Sequence, residues 1–257
     1  MKAAVCREFG KPLVIEEVSL ADAGPGEVKV KLAATAICHS DISYADGAWG
    51  GDLPAVYGHE CAGVVESVGL GVTTVKVGDP VVVTLIRSCG HCHGCVRGMP
   101  VTCSTQFPLD AKSPISDKSG KSLVQSMRTG GFAEQVLVHE SQCVTIPGNV
   151  PMTSASLLAC GVITGFGAVT NTARVPAGSH VVVIGTGGVG LNSIQGARVS
   201  GARTVIAVDI ADNKLEAAKG FGATHGINSS KENVLDRVMQ LTDSRGADYV
   251  FVTVGAK

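Results

Sequence analysis

A run of four apolar residues, Val181-Val182-Val183-Ile184, opens directly onto Gly185-Thr186-Gly187-Gly188-Val189-Gly190, and that junction leaves the chain few folds to choose from. Between a strand and a helix, the spacing G-x-G-x-x-G reads as a tight turn, an open stretch of backbone and a close strand–helix contact. The segments that follow keep the same rhythm. Helical spacing covers 188–199, 213–219 and 231–241, and apolar strands cover 204–209, about 224–227 and 249–254. Such a βαβα order implies a parallel sheet with right-handed crossovers. A six-stranded doubly wound sheet would be four strands complete where the sequence ends, so the expectation is a partial sheet in a C-terminally truncated chain.

Within the glycine loop, Gly185 permits the turn, Gly187 lets a pyrophosphate approach the backbone, and Gly190 lets the helix pack on the strand. Gly188 and Val189 begin the helix whose free amides receive phosphate charge. Asp209, at the end of the next strand, is placed to accept hydrogen bonds from a ribose and to repel a 2′-phosphate. No arginine follows it in Ile210-Ala211-Asp212, which favours NAD over NADP. The competing reading is a glycine-rich turn in some other βαβ unit.

The N-terminal part has a different texture. Short β segments at 2–7, 13–18, 27–37, 61–68, 80–86 and 132–138 are punctuated by glycine and proline, as in a β-rich, partly closed domain. Residues 104–129 lapse into polar sequence with Pro108, Pro114 and Gly120, and read as a long irregular loop. Helical stretches at 153–158 and 162–172, ended by Val175-Pro176-Ala177-Gly178, bridge to the second domain. The division expected is 1–160 and 161–257.

Four cysteines in this first part, Cys89, Cys92, Cys95 and Cys103, follow C-x2-C-x2-C-x7-C. One loop with such short spacers supplies four thiolates to a tetrahedral zinc without strain, whereas near neighbours are awkward to cross-link as disulfides. His91 and His93 lie inside the run and are expected to face solvent, because the four sulfurs complete the set. Two further cysteines have informative neighbours: Cys38 in Cys38-His39-Ser40-Asp41, and Cys160 before Gly161. His59 stands in Gly58-His59-Glu60. Two thiolates and an imidazole would leave zinc an open position, but scattered residues of these types are usually plain core.

The 21 basic and 22 acidic side chains give a net charge of -1, which offers no electrostatic footprint for nucleic acid or an anionic membrane, so a small molecule is the expected partner. The opening MKAAVCREFG fits neither a signal peptide nor a membrane span. Nine cysteines, an odd number with metal-ligand spacing, suit the reducing cytoplasm.

Taken together, the order of these motifs resembles the zinc-dependent medium-chain alcohol dehydrogenase family over the whole of 1–257. The resemblance implies a fold of α/β plus β type: a GroES-like catalytic domain followed by a partial Rossmann domain. It implies two zinc ions per chain, with Cys38, His59 and Cys160 as catalytic ligands and Cys89, Cys92, Cys95 and Cys103 as the structural set. Glu60 looks like the carboxylate that assists ligand exchange, and Asp41 like the partner that orients His59. Ser40 resembles the hydroxyl that takes the substrate proton, and His39 a basic residue near the cofactor pyrophosphate. Thr164 and Val189 resemble residues behind the nicotinamide, and Lys214 a lysine on the ribose. Without the resemblance, Lys214 reads as an exposed helix lysine, Thr164 as a helix N-terminal residue and Val189 as core. Trp49, Leu85 and Phe107 are expected pocket walls by the same comparison. Ser43 stands where many members carry a histidine of the proton relay.

The implied reaction is NAD-dependent interconversion of an alcohol and an aldehyde or ketone, with a homo-oligomer expected for complete members. The rivals are a zinc-independent quinone or enoyl reductase on the same scaffold, an inactive fragment with structural zinc alone, and a non-catalytic zinc-lobed binding protein.

Overall fold

Alternation along β1 (Lys2–Cys6) sends Ala3 and Val5 inward, and the same period builds most of the N-terminal unit. The computed structural model describes residues 1–255, and the chain divides into two compact units, Met1–Cys160 and Gly161–Lys257. Residues 256 and 257, the end of the expected second domain, lie outside the described residues.

The first unit contains two β layers. Strands β2 (Val14–Leu20), β3 (Glu27–Ala36), β4 (Ala55–Val56), β5 (Glu60–Val68), β6 (Pro80–Val83), β7 (Ile115–Asp117), β8 (Ser122–Gln125), β9 (Gln135–His139) and β10 (Cys143–Thr145) complete it. A closed barrel runs β1-β2-β7-β8-β4, and a five-stranded sheet runs β10-β6-β5-β3-β9. Val5, Val18, Val56, Ile115 and Leu123 fill one core; Val28, Val30, Val65, Val81 and Val136 are part of the other. Its helices are short: α1 (His39–Ala45), α2 (His93–Val96), α3 (Pro108–Ala111) and α4 (Met152–Ala155), the last running into a 3-10 turn at Ser156–Ala159.

Residues 104–129 are not the irregular loop expected. They contain α3 and the β7–β8 hairpin, and the hairpin closes the barrel against β2 and β4. Each of these strands buries a single apolar side chain, Ile115 or Leu123, too little for a period to show in the sequence. Strands β4 and β10 are equally short and were not anticipated.

Arg87 is the largest wholly buried side chain of the described residues, and it ties this region together. Its Nε donates to Gln142 Oε1 at 2.7 Å, one terminal nitrogen to Asp110 Oδ1 at 3.0 Å and the other to the Arg128 carbonyl at 3.1 Å. The guanidinium also lies 5.7 Å from the centre of the Phe107 ring, which packs edge-on against His139. Phe107 is therefore packed into this knot. Met127 and Arg128 both adopt positive φ, 48° and 58°, a costly conformation for side-chain-bearing residues; the bond to the Arg128 carbonyl helps hold it.

In the second unit, α5 (Gly161–Gly167) runs into a π-helical turn at Ala168–Ala173. There follow β11 (His180–Ile184), α6 (Gly188–Val199), β12 (Thr204–Asp209), α7 (Asp212–Gly220), β13 (His225–Asn228), α8 (Val234–Leu241) and β14 (Tyr249–Val252). The four strands form a parallel sheet in the order β13-β12-β11-β14. Val181, Val183, Val205 and Ala207 share a core cluster with Ile194 and Ala197 of α6, while Val182, Ile206, Val208 and Ile227 share one with Val238 of α8. The last helix starts three residues later than its spacing suggests, because Asn233 caps it by accepting from the Asp236 amide at 3.2 Å. Among the described residues no single helix is long and apolar enough to cross a membrane.

Removing the Arg87 guanidinium leaves Asp110, Gln142 and a left-handed turn without their shared partner. Arg87→Ala is expected to cost about 3–5 kcal/mol; a urea unfolding midpoint that does not move would contradict this account of the knot.

Candidate functional site

Chain geometry brings together residues that are far apart in sequence. Cys38 ends β3's exit loop and stands in extended conformation at the N-cap of α1; His59 and Glu60 enter β5; Cys160 follows the 3-10 turn after α4. One potential ligand atom from each of Cys38, His59, Glu60 and Cys160 lies within 4.8 Å of all the others. His59 and Glu60 are buried, and the two cysteines are half-buried.

Asp41, itself only 2% exposed, organises this set. One of its oxygens accepts from the Cys38 amide at 2.9 Å; the other accepts from the Gly58 amide at 3.0 Å and meets His59 Nδ1 at 3.1 Å. That leaves Nε2 as the ring atom free to coordinate. Gly58 has φ +93° and a Cβ there would lie 2.6 Å from the Phe132 amide nitrogen, so only glycine fits next to the histidine. Burial pushes the His59 ring down, but the Asp41 and Cys38 interactions outweigh it and raise it to about 9. The Cys38 thiol is drawn down to about 3, first by Cys160 and then by His59, with burial opposing. Thiolate, imidazole and carboxylate donors at one point suit a zinc ion, which takes the place of the ligand protons.

Cys89, Cys92, Cys95 and Cys103 form a second set, again with all sulfurs within 4.8 Å of one another. Cys92 Sγ lies 3.5 Å from Cys95 and 3.7 Å from Cys103, close to the roughly 3.8 Å sulfur spacing of a tetrahedral zinc at about 2.3 Å per bond. Backbone amides of Cys95 and Ser104, in that order, draw the Cys92 thiol down to about 5. His91 and His93 are exposed. All nine cysteines are free.

Around the first set, Ser40 is half-buried in the first turn of α1, His39 is exposed beside it, and Ser43 is one turn on and half-buried. Trp49 is exposed and packs edge-on against Tyr44, while Leu85 is half-buried.

In the other unit, Gly185 turns at φ +91°. A Cβ on Gly190 would come within 1.9 Å of the Gly185 carbonyl oxygen, so helix α6 sits against the strand end at glycine distance. At Gly187 and Gly188 a Cβ would meet nothing within 4 Å: the backbone at the start of α6 is open to an approaching phosphate. Val189 is half-buried, Thr164 on α5 is exposed, and Lys214 is exposed on α7. Asp209 is buried, and Thr186, unremarked in the sequence because it occupies a variable place in the fingerprint, contacts it directly. Its hydroxyl beside three glycines was the available signal.

A GroES-like β unit followed by a Rossmann-type unit is the scaffold of zinc-binding dehydrogenases. Residues 24–148 match the alcohol dehydrogenase GroES-like domain, and residues 188–257 match the zinc-binding dehydrogenase domain. A relative from Catharanthus roseus, described as a CYP enzymes assisting alcohol dehydrogenase, is 38% identical over 267 residues, covering 99% of this chain and 71% of its own. The structure of an alcohol dehydrogenase zinc-binding domain protein from Burkholderia ambifaria superposes with a TM-score of 0.93 at 37% identity, over 99% of this chain and 70% of that one. Benzyl alcohol dehydrogenase from Acinetobacter calcoaceticus superposes with a TM-score of 0.90 at 34% identity, with the same coverage. The chain belongs to the medium-chain alcohol dehydrogenase family of oxidoreductases.

The geometry gives Asp41 a positioning role toward one metal set only. Asp41→Asn is expected to weaken metal binding at Cys38, His59 and Cys160 by about 10- to 100-fold and to leave the four-cysteine set unchanged in a chelator competition titration. Equal weakening of both sets would contradict that role.

Proposed function

We propose that this chain is a zinc- and NAD-dependent alcohol dehydrogenase, holding two zinc ions and interconverting a small alcohol and its aldehyde or ketone. The observation that carries the reading is the mixed donor set of Cys38, His59 and Cys160, which stands apart from an all-sulfur set suited to a structural ion. A protein using the fold for zinc-independent reduction has no need to bury a histidine against an aspartate beside two thiols. Bound zinc would supply the Lewis acidity that makes an alcohol proton easier to lose, and bound NAD the acceptor for hydride.

The chain's own groups do the rest. Ser40, two residues beyond Cys38, is the hydroxyl that receives the substrate proton, and His39 beside it opens to solvent. Proton exit by that route suits a chain with Ser43 in place of an outer histidine. Asp41 holds His59 in its coordinating tautomer, and Glu60, in the same donor group, is the carboxylate to assist ligand exchange. Gly187 and Gly188 offer the backbone to the pyrophosphate, with Asp209 on the adenosine ribose and Lys214 on the same sugar. Thr164 and Val189 are assigned to the nicotinamide side. The partner is a small alcohol or aldehyde, the compartment the cytoplasm, where the nine free thiols stay reduced, and the assembly a homo-oligomer. The name of the Acinetobacter relative makes benzyl alcohol a sensible first substrate.

Elemental analysis is expected to find two zinc ions per chain, and one in Cys160→Ser. Ser40→Ala is expected to keep both ions and to slow NAD-dependent oxidation of benzyl alcohol, or of whichever alcohol of a panel is turned over, by about 10²- to 10⁴-fold. Zinc confined to the four-cysteine set under saturating supply would overturn the reading.

A further inference from the structure

Asp209 is held more tightly than a ribose-binding carboxylate requires. Its Oδ2 accepts from the Thr186 amide and from the Thr186 hydroxyl, each at 2.9 Å; its Oδ1 accepts from the Ile210 amide at 2.8 Å and the Ala211 amide at 3.2 Å. A carboxylate offers about four in-plane acceptor sites, and four donors of the chain converge on them, so a ribose hydroxyl binds by taking the place of the longest contact, that from the Ala211 amide. Thr186 is only 3% exposed and Asp209 8%. Burial pushes this carboxyl upward, yet the hydrogen bonds, those of Thr186 first, hold it below the usual aspartate range. The largest contributions that favour the ionised form all come from neutral donors.

A dinucleotide bearing a 2′-phosphate meets the negative charge of this aspartate and is accommodated only if the carboxylate swings aside or takes up a proton. Swinging aside breaks both bonds to Thr186, and a proton on Oδ2 takes the place of one of them. We propose that Thr186 is a specificity-determining residue: its buried hydroxyl pins Asp209 in place and so enforces rejection of the 2′-phosphorylated cofactor. The inference rests on the assignment of this loop to NAD. It attributes discrimination to the pairing of the two residues and not to the aspartate alone. Three of the four bonds come from backbone amides, which side-chain substitutions other than proline leave in place, so the hydroxyl is the adjustable member.

The test measures binding, with no turnover required. Dissociation constants for NADH and NADPH are obtained by fluorescence titration for the natural chain, Thr186→Val, Thr186→Ala and Thr186→Ser. Valine has the shape of threonine and keeps the backbone donor; serine keeps the hydroxyl. Thermal melts confirm that each variant folds, and alanine serves if valine does not. The natural chain is expected to bind NADH more tightly. In Thr186→Val the NADPH to NADH ratio of dissociation constants is expected to fall about 10- to 100-fold, the worth of one hydrogen bond to a charged group, mostly through tighter NADPH binding. Serine is expected to retain the natural ratio. A folded valine or alanine variant with an unchanged ratio, or one in which both ligands weaken equally, overturns the role of Thr186 while leaving the NAD site standing. Failure of the natural chain to bind either nucleotide, or tighter binding of NADPH, overturns the NAD assignment itself and the inference with it.

Discussion

A single buried carboxylate, that of Asp41, connects the backbone of the β-rich unit to its mixed donor set. It caps the helix that begins after Cys38, fixes the amide of Gly58 and faces the ring of His59. Two prospective ligands on different elements are thereby referred to one point. Burying a charge in this way is expensive unless it is hydrogen-bonded, and three groups of the chain engage both of its oxygens. The same bonds that satisfy Asp41 orient the imidazole, so stability and coordination geometry share one cause.

Similar economy appears at Arg87. The strand leading into the four-cysteine lobe, the helix following it and the turn at Met127 and Arg128 all end at one guanidinium. The lobe from 89 to 103 leaves its apolar residues Val96, Met99 and Val101 exposed and so builds no core of its own. Its shape is set by the knot at its root and by four sulfurs gathered within 4.8 Å of one another. The two donor sets differ accordingly. One is assembled from long-range strand and helix ends around a buried aspartate; the other is local to one loop.

In the second unit the parallel sheet does the positioning. Hydrogen-bonded register between Ile184 and Val208 brings the first strand's end level with that of the next, where Asp209 stands opposite the glycine turn. Glycine at 190 lets α6 begin against the strand end, and the open backbone at 187 and 188 is the consequence. Thr186, caught between, has its side chain directed to Asp209.

The local features were legible from residue order. The four-cysteine spacing, the glycine fingerprint and the strands and helices from 180 to 252 depend on neighbours in the chain, where period and turn chemistry act directly, and α6 and β12 fall where their patterns end. Short strands were not legible: β7 and β8 each bury one side chain and gain their identity only by pairing with β2 and β4. Nor was the burial of Arg87 and Phe107 visible, since a guanidinium in the interior is tolerable only where partners from 110, 128 and 142 converge. Sequence alone thus determined the class of fold, the sulfur lobe and the glycine loop, because these are written in short-range spacing. Tertiary structure decided the convergence of Cys38, His59, Glu60 and Cys160 and the locking of Asp209 by Thr186, because both depend on distances that only closed strand pairing and helix packing define.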